Sequence, residues 1–367
     1  MRIAVVTEIP APFRIPLFNA LAAHPSADLE VLFLADQDPR RRHYPVYERE
    51  FAFPWRVLPG RSLERGGRWL VWSRGVEREL RRFRPHAIVV GGWNQPAFWR
   101  ALLHARLHRR ALVAWVESTA RDERAEAKPL ALARRAFVRS CAGFVVPGRA
   151  SAEYVRSLRP EAEIAVAPNA VDAAIFSTAN VDRRGREQCT FLYVGRLERE
   201  KGLDVLLRAF DAVPGRLVLV GRGDDEGRLR RLAGDRVQFV GALERDDLPE
   251  LYAAADVFVL PSLSEPWGMV LNEAAAAGLP LVATDAAGAA HELIDEGQNG
   301  FMVPAGDEGA LAGALRRLAS DETLRMAAGA HSRVVADRFV PEAWANAVVG
   351  LVERVTRNGP TILTGPE

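Results

Sequence analysis

Cysteine and long apolar runs are scarce in this chain, and each scarcity closes off a class of protein. The two cysteines, Cys141 and Cys189, stand far apart with no C-x-x-C pattern. That excludes a disulfide framework and a thiolate zinc site, and leaves buried thiols as the expectation. No stretch approaches the roughly 18 consecutive apolar residues that a membrane span needs. Met1 to Thr7 reads as a first strand, too short for the charged and apolar regions of a signal peptide, so the expected location is the cytoplasm. Acid pairs following a strand are missing as well: Asp224-Asp225 and Asp246-Asp247 read as helix-start acids, and no metal is expected. No complete glycine fingerprint follows Ile3–Thr7, which argues against a nicotinamide-dependent dehydrogenase, and the lone Gly221-Arg222-Gly223 turn is a weak match.

Arginine is what the chain has in excess, 47 residues against 2 lysines. Net charge is only +2, yet residues 1–170 hold 28 Lys+Arg against 17 Asp+Glu, while residues 171–367 hold 21 against 30. Basic segments such as Arg78 to Arg84 and Arg106 to Arg110 read either as solvated helix faces or as a patch that draws the first half to an anionic membrane or acceptor. Nucleic acid is not the expected partner. His104 and His108, four apart among arginines, read as part of a solvated face rather than as half a metal site.

A chain of 367 residues, 49% hydrophobic with mean hydropathy −0.07, is long enough for two domains with sizeable cores. Strand-like runs fall at Ile3–Thr7, Leu29–Leu34, Ala87–Gly91, Ala111–Trp115, Gly143–Val146 and Ile164–Ala167. A second series falls at Thr190–Val194, Arg216–Val220, Val237–Val240, Asp256–Leu260 and Leu281–Ala283. Helix-like segments alternate with them, which predicts an α/β protein with two doubly wound parallel sheets. The expected divisions are a domain over 1–170, a second over 171–340, and a helix over 341–357 that opens at a proline suited to a first turn. Pro168 to Asp172 and the polar stretch to Gln188 form the expected linker, and residues from Asn358 a frayed tail.

The most informative stretch is Ser264-Glu265-Pro266-Trp267-Gly268-Met269-Val270-Leu271-Asn272-Glu273, where two carboxylates stand eight positions apart across a loop-to-helix junction. A helix beginning near Gly268 leaves the amides of Gly268, Met269 and Val270 without intrahelical partners and favours an anion there. Glu273, within two turns, can accept hydrogen bonds from a diol such as a ribose, and Glu265 from a sugar. The plain alternative is a surface helix acid and a loop acid. It is weakened by the small apolar Ala274 to Ala277, which suit a helix pressed on a sheet.

These residues resemble the retaining glycosyltransferases of the GT-B fold, specifically glycosyltransferase family 4. Glu265 and Glu273 match that family's E-x7-E motif, and Val194 to Gly202, with Arg196 and Lys201, is similar to its diphosphate segment. Pro168 to Asp172 and Phe239-Val240-Gly241 add weaker support. The resemblance implies two Rossmann-like domains facing across a cleft, an acceptor-binding first domain, a donor-binding second one, and a last helix that crosses back. It implies that Arg196 and Lys201 neutralise the diphosphate of a nucleotide-sugar, Glu273 holds the ribose, and Glu265 orients the donor sugar. Gly268, Met269 and Val270 would offer amides, and Gly221 and Gly241 would line the nucleotide pocket. The implied reaction is metal-independent front-face transfer of a hexose-type sugar with retention, using no cofactor. A UDP-sugar is the favoured donor, and the acceptor is a small molecule or lipid-linked.

Two positions depart from the family pattern. The loop after the first strand reads Glu8-Ile9-Pro10-Ala11-Pro12-Phe13-Arg14, whose prolines donate no amides, with Arg14 as a substitute donor. After Ala111–Trp115, where the family often places a histidine, stands Glu117, read as an active-site carboxylate with capping or pairing to Arg121 as the alternative. His291 and Glu292 are weaker candidates. Acceptor choice is expected between about Pro39 and Arg65 and around Trp93-Asn94-Gln95. A nucleotide-sugar epimerase and a silent sugar-nucleotide-binding module remain the competing readings.

Overall fold

The computed structural model describes residues 1–39, 47–65, 68–122, 128–177, 181 and 183–357. The expected tail from Asn358, part of the linker and part of the Pro39–Arg65 segment lie outside the described residues. The chain separates into two compact units, Met1–Ala170 with Pro341–Glu367, and Val171–Val340.

In the first unit the strands are β1 (Arg2–Thr7), β2 (Asp28–Phe33), β3 (Trp55–Val57), β4 (Gly60–Arg65), β5 (Arg68–Ser73), β6 (Ala87–Val90), β7 (Ala111–Trp115), β8 (Gly143–Val146) and β9 (Ile164–Val166). Seven form one parallel sheet in the order β3-β2-β1-β6-β7-β8-β9. Every residue of β6, β7 and β8 is buried, the signature of strands covered on both faces. The helix Pro341–Arg357 completes this unit by packing on the helix Ile15–Ala23 and on β8 and β9. It buries Trp344 with ring centroids 5.0 Å from Trp115 and 6.3 Å from Phe18.

The antiparallel hairpin β4-β5 and the edge strand β3 have no counterpart in the sequence reading. The hairpin's alternation is real, with Trp69 and Val71 buried and Leu63, Leu70 and Trp72 exposed. Large apolar residues on both faces hid that period-2 pattern. His104 corrects an expectation. It is buried, its ring lies 4.4 Å from that of His108, and burial lowers its pKa to about 4. Cys141 and Cys189 are buried free thiols, each raised to about 12 by burial.

The second unit contains β10 (Thr190–Val194), β11 (Arg216–Val220), β12 (Val237–Gly241), β13 (Val257–Leu260), β14 (Leu281–Thr284) and β15 (Gly300–Val303). All pair in parallel, in the order β12-β11-β10-β13-β14-β15. Strand β15 was not anticipated: four residues opening at a glycine carry little periodicity. Successive strands step outward from β10 in one direction and from β13 in the other. Loops leaving these two carboxyl ends therefore diverge and open a crevice, the place where doubly wound sheets take ligands. The first sheet has the same reversal between β1 and β6.

Candidate functional site

In the second unit the chain leaves β10 through Gly195 and makes a tight turn at Arg199–Lys201 that ends at Gly202, whose φ is +64°. A Cβ on Gly202 would lie 2.2 Å from the Pro261 carbonyl oxygen, so glycine is what lets this turn press against the loop after β13. The amides of Leu263 and Ser264 donate to the Glu200 carbonyl and lock the approach at 2.8 and 3.2 Å. Lys201 Nζ consequently donates to Glu265 Oε2, forming an ion pair whose side chains are 11% and 16% exposed. Glu265 is fixed from behind, its amide donating to the Ala286 carbonyl and its carbonyl accepting from the Gly288 amide. Arg196 is held differently. Its side chain is 54% exposed and donates through Nη2 to Glu200 Oε1 at 2.5 Å.

The helix Met269–Ala276 follows β13, with Gly268 at φ +99° before it. A side chain on Gly268 would meet Leu260 at 2.9 Å. Trp267 is buried and donates from Nε1 to Asn272 Oδ1 at 2.9 Å, which pins the entry of the helix. The first-turn amides of Met269 and Val270 therefore open where β13 ends. Glu273, one turn further, accepts from the Tyr252 hydroxyl at 2.6 Å. Burial raises the Glu273 pKa, opposed by the Tyr252 hydrogen bond and by Arg245. Tyr252, fully buried, is pushed well above the ordinary phenol value by burial and by the Glu273 carboxylate.

Gly221 and Gly241 sit at the neighbouring strand ends. The Gly221 amide donates to the Gly241 carbonyl at 2.8 Å, and a Cβ on Gly221 would fall 1.8 Å from the Gly195 carbonyl oxygen. Three strand ends thus meet as bare backbone. His291, by contrast, places Nε2 2.9 Å from the Asp285 carbonyl oxygen, a local contact. Among the described residues no group of three or more His, Cys, Asp or Glu side chains could hold a metal ion.

A second polar cluster occupies the reversal point of the first unit. Arg14 Nη2 lies 3.2 Å from Glu117 Oε2, its Nη1 donates to Thr7 Oγ1 at 2.7 Å, and its guanidinium stacks 4.4 Å from the Trp115 ring. Glu117 is 28% exposed, and its Oε1 has no hydrogen-bond partner. Its ion pair is therefore with Arg14, not with Arg121 as the local alternative supposed. Asn94 donates to Glu8 Oε1 at 3.3 Å, and burial raises the Glu8 pKa against the pull of Arg14. Gln95 is committed elsewhere, accepting from the Val71 amide and donating to the Trp69 carbonyl.

The sequence reading missed Glu200, Tyr252 and Glu8 as contributors. Tyr252 carried no signal, since one hydroxyl on the short helix Leu248–Ala254 lies 21 residues from the acid it serves. Glu200 was legible in principle, four positions after Arg196.

Two doubly wound units of this topology make the GT-B fold of the glycosyltransferases. The Anabaena protein HepE, solved with UDP, superposes with a TM-score of 0.77 at 21% identity over 96% of this chain and all of its own. Sucrose-phosphate synthase from Thermosynechococcus elongatus gives 0.76 at 20% identity over 98% of this chain and all of its own. Residues 17–175 match the model described as Glycosyltransferase Family 4, and residues 188–321 the model described as Glycosyl transferases group 1. The chain belongs to glycosyltransferase family 4. Among curated relatives, a phosphatidyl-myo-inositol mannosyltransferase of Mycobacterium leprae is 35% identical over 53% of this chain and 54% of its own length. A D-inositol 3-phosphate glycosyltransferase of Corynebacterium kroppenstedtii is 29% identical over 75% of this chain and 67% of its own. The chain spans about half the length of the first of these relatives.

Proposed function

We propose that this chain is a retaining glycosyltransferase that moves a hexose-type sugar from a nucleotide diphosphate sugar, UDP-linked in the first instance, to a small-molecule or lipid-linked acceptor. The observation that carries the reading is the buried Lys201–Glu265 pair at the strand reversal of the second unit. A donor diphosphate entering there meets Lys201 as a point charge, the first-turn amides of Met269 and Val270, and Arg196 once it turns from Glu200. Glu273, aimed by Tyr252, accepts from the ribose hydroxyls, and the Gly195, Gly221 and Gly241 backbones leave room for the nucleoside. Glu265 accepts from the sugar while sharing the Lys201 proton.

In the chemical step the acceptor oxygen bonds to the anomeric carbon as the bond from that carbon to the phosphate oxygen breaks. The departing oxygen takes the acceptor proton, on the same face of the sugar. Negative charge grows on the diphosphate, so Lys201 and Arg196 bind this state more strongly than the bound donor, and no metal is required of the mechanism. The UDP in the Anabaena structure supports uridine, and the mannosyltransferase, by its name, supports a lipid-linked acceptor.

In the first unit, Glu8, Asn94 and Glu117 offer oxygen acceptors and amide donors suited to a hydroxyl-rich acceptor, and Arg14 is already engaged by Glu117. Glu117→Gln should lower turnover of the native acceptor; unchanged turnover removes Glu117 from the site. Exposed Leu103 and Leu107, which share a groove with Arg78 and Arg81, support peripheral contact with an anionic membrane from the cytoplasmic side. No helix among the described residues is long and apolar enough to cross a membrane. The deciding experiment is a thermal-shift panel of uridine, guanosine, adenosine and thymidine diphosphates, followed by product analysis with the matching nucleotide-sugar. Glycosylated acceptor with retained configuration supports the reading. An isomerised donor without acceptor replaces it with an epimerase, and binding without turnover with a silent module.

A further inference from the structure

The hairpin β4-β5 has two unlike faces. Opposite residues of an antiparallel pair share a side, so buried Trp69 and Val71 lie on one face, and Arg61, Leu63, Leu70 and Trp72 on the other. That second face is in solvent, with Leu63 61% and Trp72 67% exposed. Arg61, and Arg74 just after the hairpin, are exposed too, and neither pairs with an acid among the described residues. Glu64, the one acid in residues 60–73, alternates onto the opposite face.

The hairpin is anchored at its base and along one edge. The Leu58 amide donates to the Phe33 carbonyl at 2.8 Å and Ser73 Oγ to the Leu34 carbonyl at 3.2 Å, which sets the base at the carboxyl end of β2. Further along, the Val71 amide donates to Gln95 Oε1 at 2.9 Å and Gln95 Nε2 to the Trp69 carbonyl at 3.1 Å. A buried side-chain amide thus stands in for a third strand. Gln95 ends the loop after β6, next to Asn94, which donates to Glu8. The hairpin therefore lies on the carboxyl edge of the sheet, beside the crevice at the reversal between β1 and β6. Its inner face is spent on the core, and its outer face stays in water.

We propose that this outer face docks on an anionic lipid bilayer and so turns the crevice of the first unit toward the membrane surface. Adjoining leucines and a tryptophan held in solvent mark an interaction surface. The indole suits the interfacial layer, apolar in its ring and with an N–H left for headgroups or water. Arg61 and Arg74 supply the charge that anionic headgroups attract, each worth about fivefold in affinity. A second copy of the same face would meet like charge, which favours the bilayer over self-association. The face is distinct from the groove of Leu103 and Leu107, which lies toward the far end of the helix Pro96–Leu107. Only the acceptor side rests on the enzymatic reading above: an acceptor entering a crevice so placed comes from the bilayer and leaves its lipid there.

The test is sedimentation with vesicles of phosphatidylcholine, with and without phosphatidylglycerol, together with quenching of tryptophan fluorescence by brominated phosphatidylcholine. Wild type, Leu63→Ser/Trp72→Ser, Arg61→Gln, Trp72→Phe and Leu103→Ser/Leu107→Ser are compared, with circular dichroism to verify folding. Every substituted side chain is exposed, so the fold should survive. Wild type is expected to bind more tightly when phosphatidylglycerol is present, weakened about tenfold or more by Leu63→Ser/Trp72→Ser and about fivefold by Arg61→Gln. Trp72→Phe should keep the affinity and lose most of the quenching, and Leu103→Ser/Leu107→Ser should keep the quenching. The proposal is overturned by absence of vesicle binding in wild type, by equal affinity without phosphatidylglycerol, by unchanged affinity in Leu63→Ser/Trp72→Ser, or by quenching that persists in Trp72→Phe. It is equally overturned by a wild-type dimer in analytical ultracentrifugation that Leu63→Ser/Trp72→Ser dissolves, which would give the face to a second copy. Thermal shift with uridine diphosphate is read on the same preparations. Docking without that shift would remove the enzymatic reading and leave the docking, and the shift without docking would do the opposite.

Discussion

The Lys201–Glu265 pair makes a prediction in which stability and turnover part company. Both side chains are largely hidden, at 11% and 16% exposure, so removing one charge strands the other. Breaking such a pair costs about 3–5 kcal/mol, whereas replacing both partners by neutral groups of similar volume is close to neutral. Lys201→Met and Glu265→Gln should each lower the transition temperature of the second unit by roughly 6–20 °C, taking about 2–4 °C per kcal/mol for a unit of this size. The double variant should recover to within about 4 °C of wild type. Turnover should not recover: Lys201→Met and the double variant lose the preorganised charge on the leaving diphosphate, worth ~10²–10³ in rate, and Glu265→Gln loses the carboxylate that orients the donor sugar. Differential scanning calorimetry of the four proteins, with initial-rate assays on the same preparations, measures both. If the double variant loses stability by the sum of the singles, the two charges are not coupled and the reasoning fails.

Tyr252→Phe removes the hydroxyl that favours the Glu273 carboxylate, so the acid, already raised by burial, should rise further. Uridine diphosphate affinity should then begin to fall at a higher pH on acidification than in wild type, and superimposable affinity–pH curves would refute the link. Gly221→Ala sets a methyl 1.8 Å from the Gly195 carbonyl at a φ of +138°, and should cost at least about 1–3 kcal/mol together with donor binding, read by urea denaturation and titration. In the first unit, Arg82 and Arg78 hold the Glu79 carboxyl below its ordinary value. The folded pKa is depressed, so this contribution is full above the unfolded value and is lost as pH falls through the folded one. Glu79→Gln should flatten the loss of stability below about pH 4.5 in a pH series of melting curves.

The sheets were readable because their central strands are short apolar runs between turn signals, and runs such as Ala111–Trp115 and Thr190–Val194 coincide with the observed strands. The hairpin β4-β5 escaped because Leu63, Leu70 and Trp72 are apolar residues left in solvent, which breaks the inside–outside code. At the donor site, Lys201 and Glu265 were legible as residue types but not as a pair. Their contact depends on Gly202 and Pro261 passing within a space too small for a Cβ, a property of two loops that lie far apart in sequence. The same holds for Tyr252 and Glu273. Burial also reverses local expectation at His104, whose arginine-rich surroundings in sequence do not reveal that its own side chain points inward.

The return of residues 341–357 to the first unit has a consequence for synthesis. Seven of the strands β1 to β9 form a sheet whose covering layer includes Trp344, Val348 and Val352, side chains made only after the whole second unit. The intervening unit is contiguous in sequence and can mature first, while its predecessor waits with Val5, Val89 and Val113 uncovered. A nascent chain of this kind is most exposed to aggregation while residues 341–357 are still unmade, so shortening the helix Pro341–Arg357 should damage the sheet of the first unit more than the segment next to it.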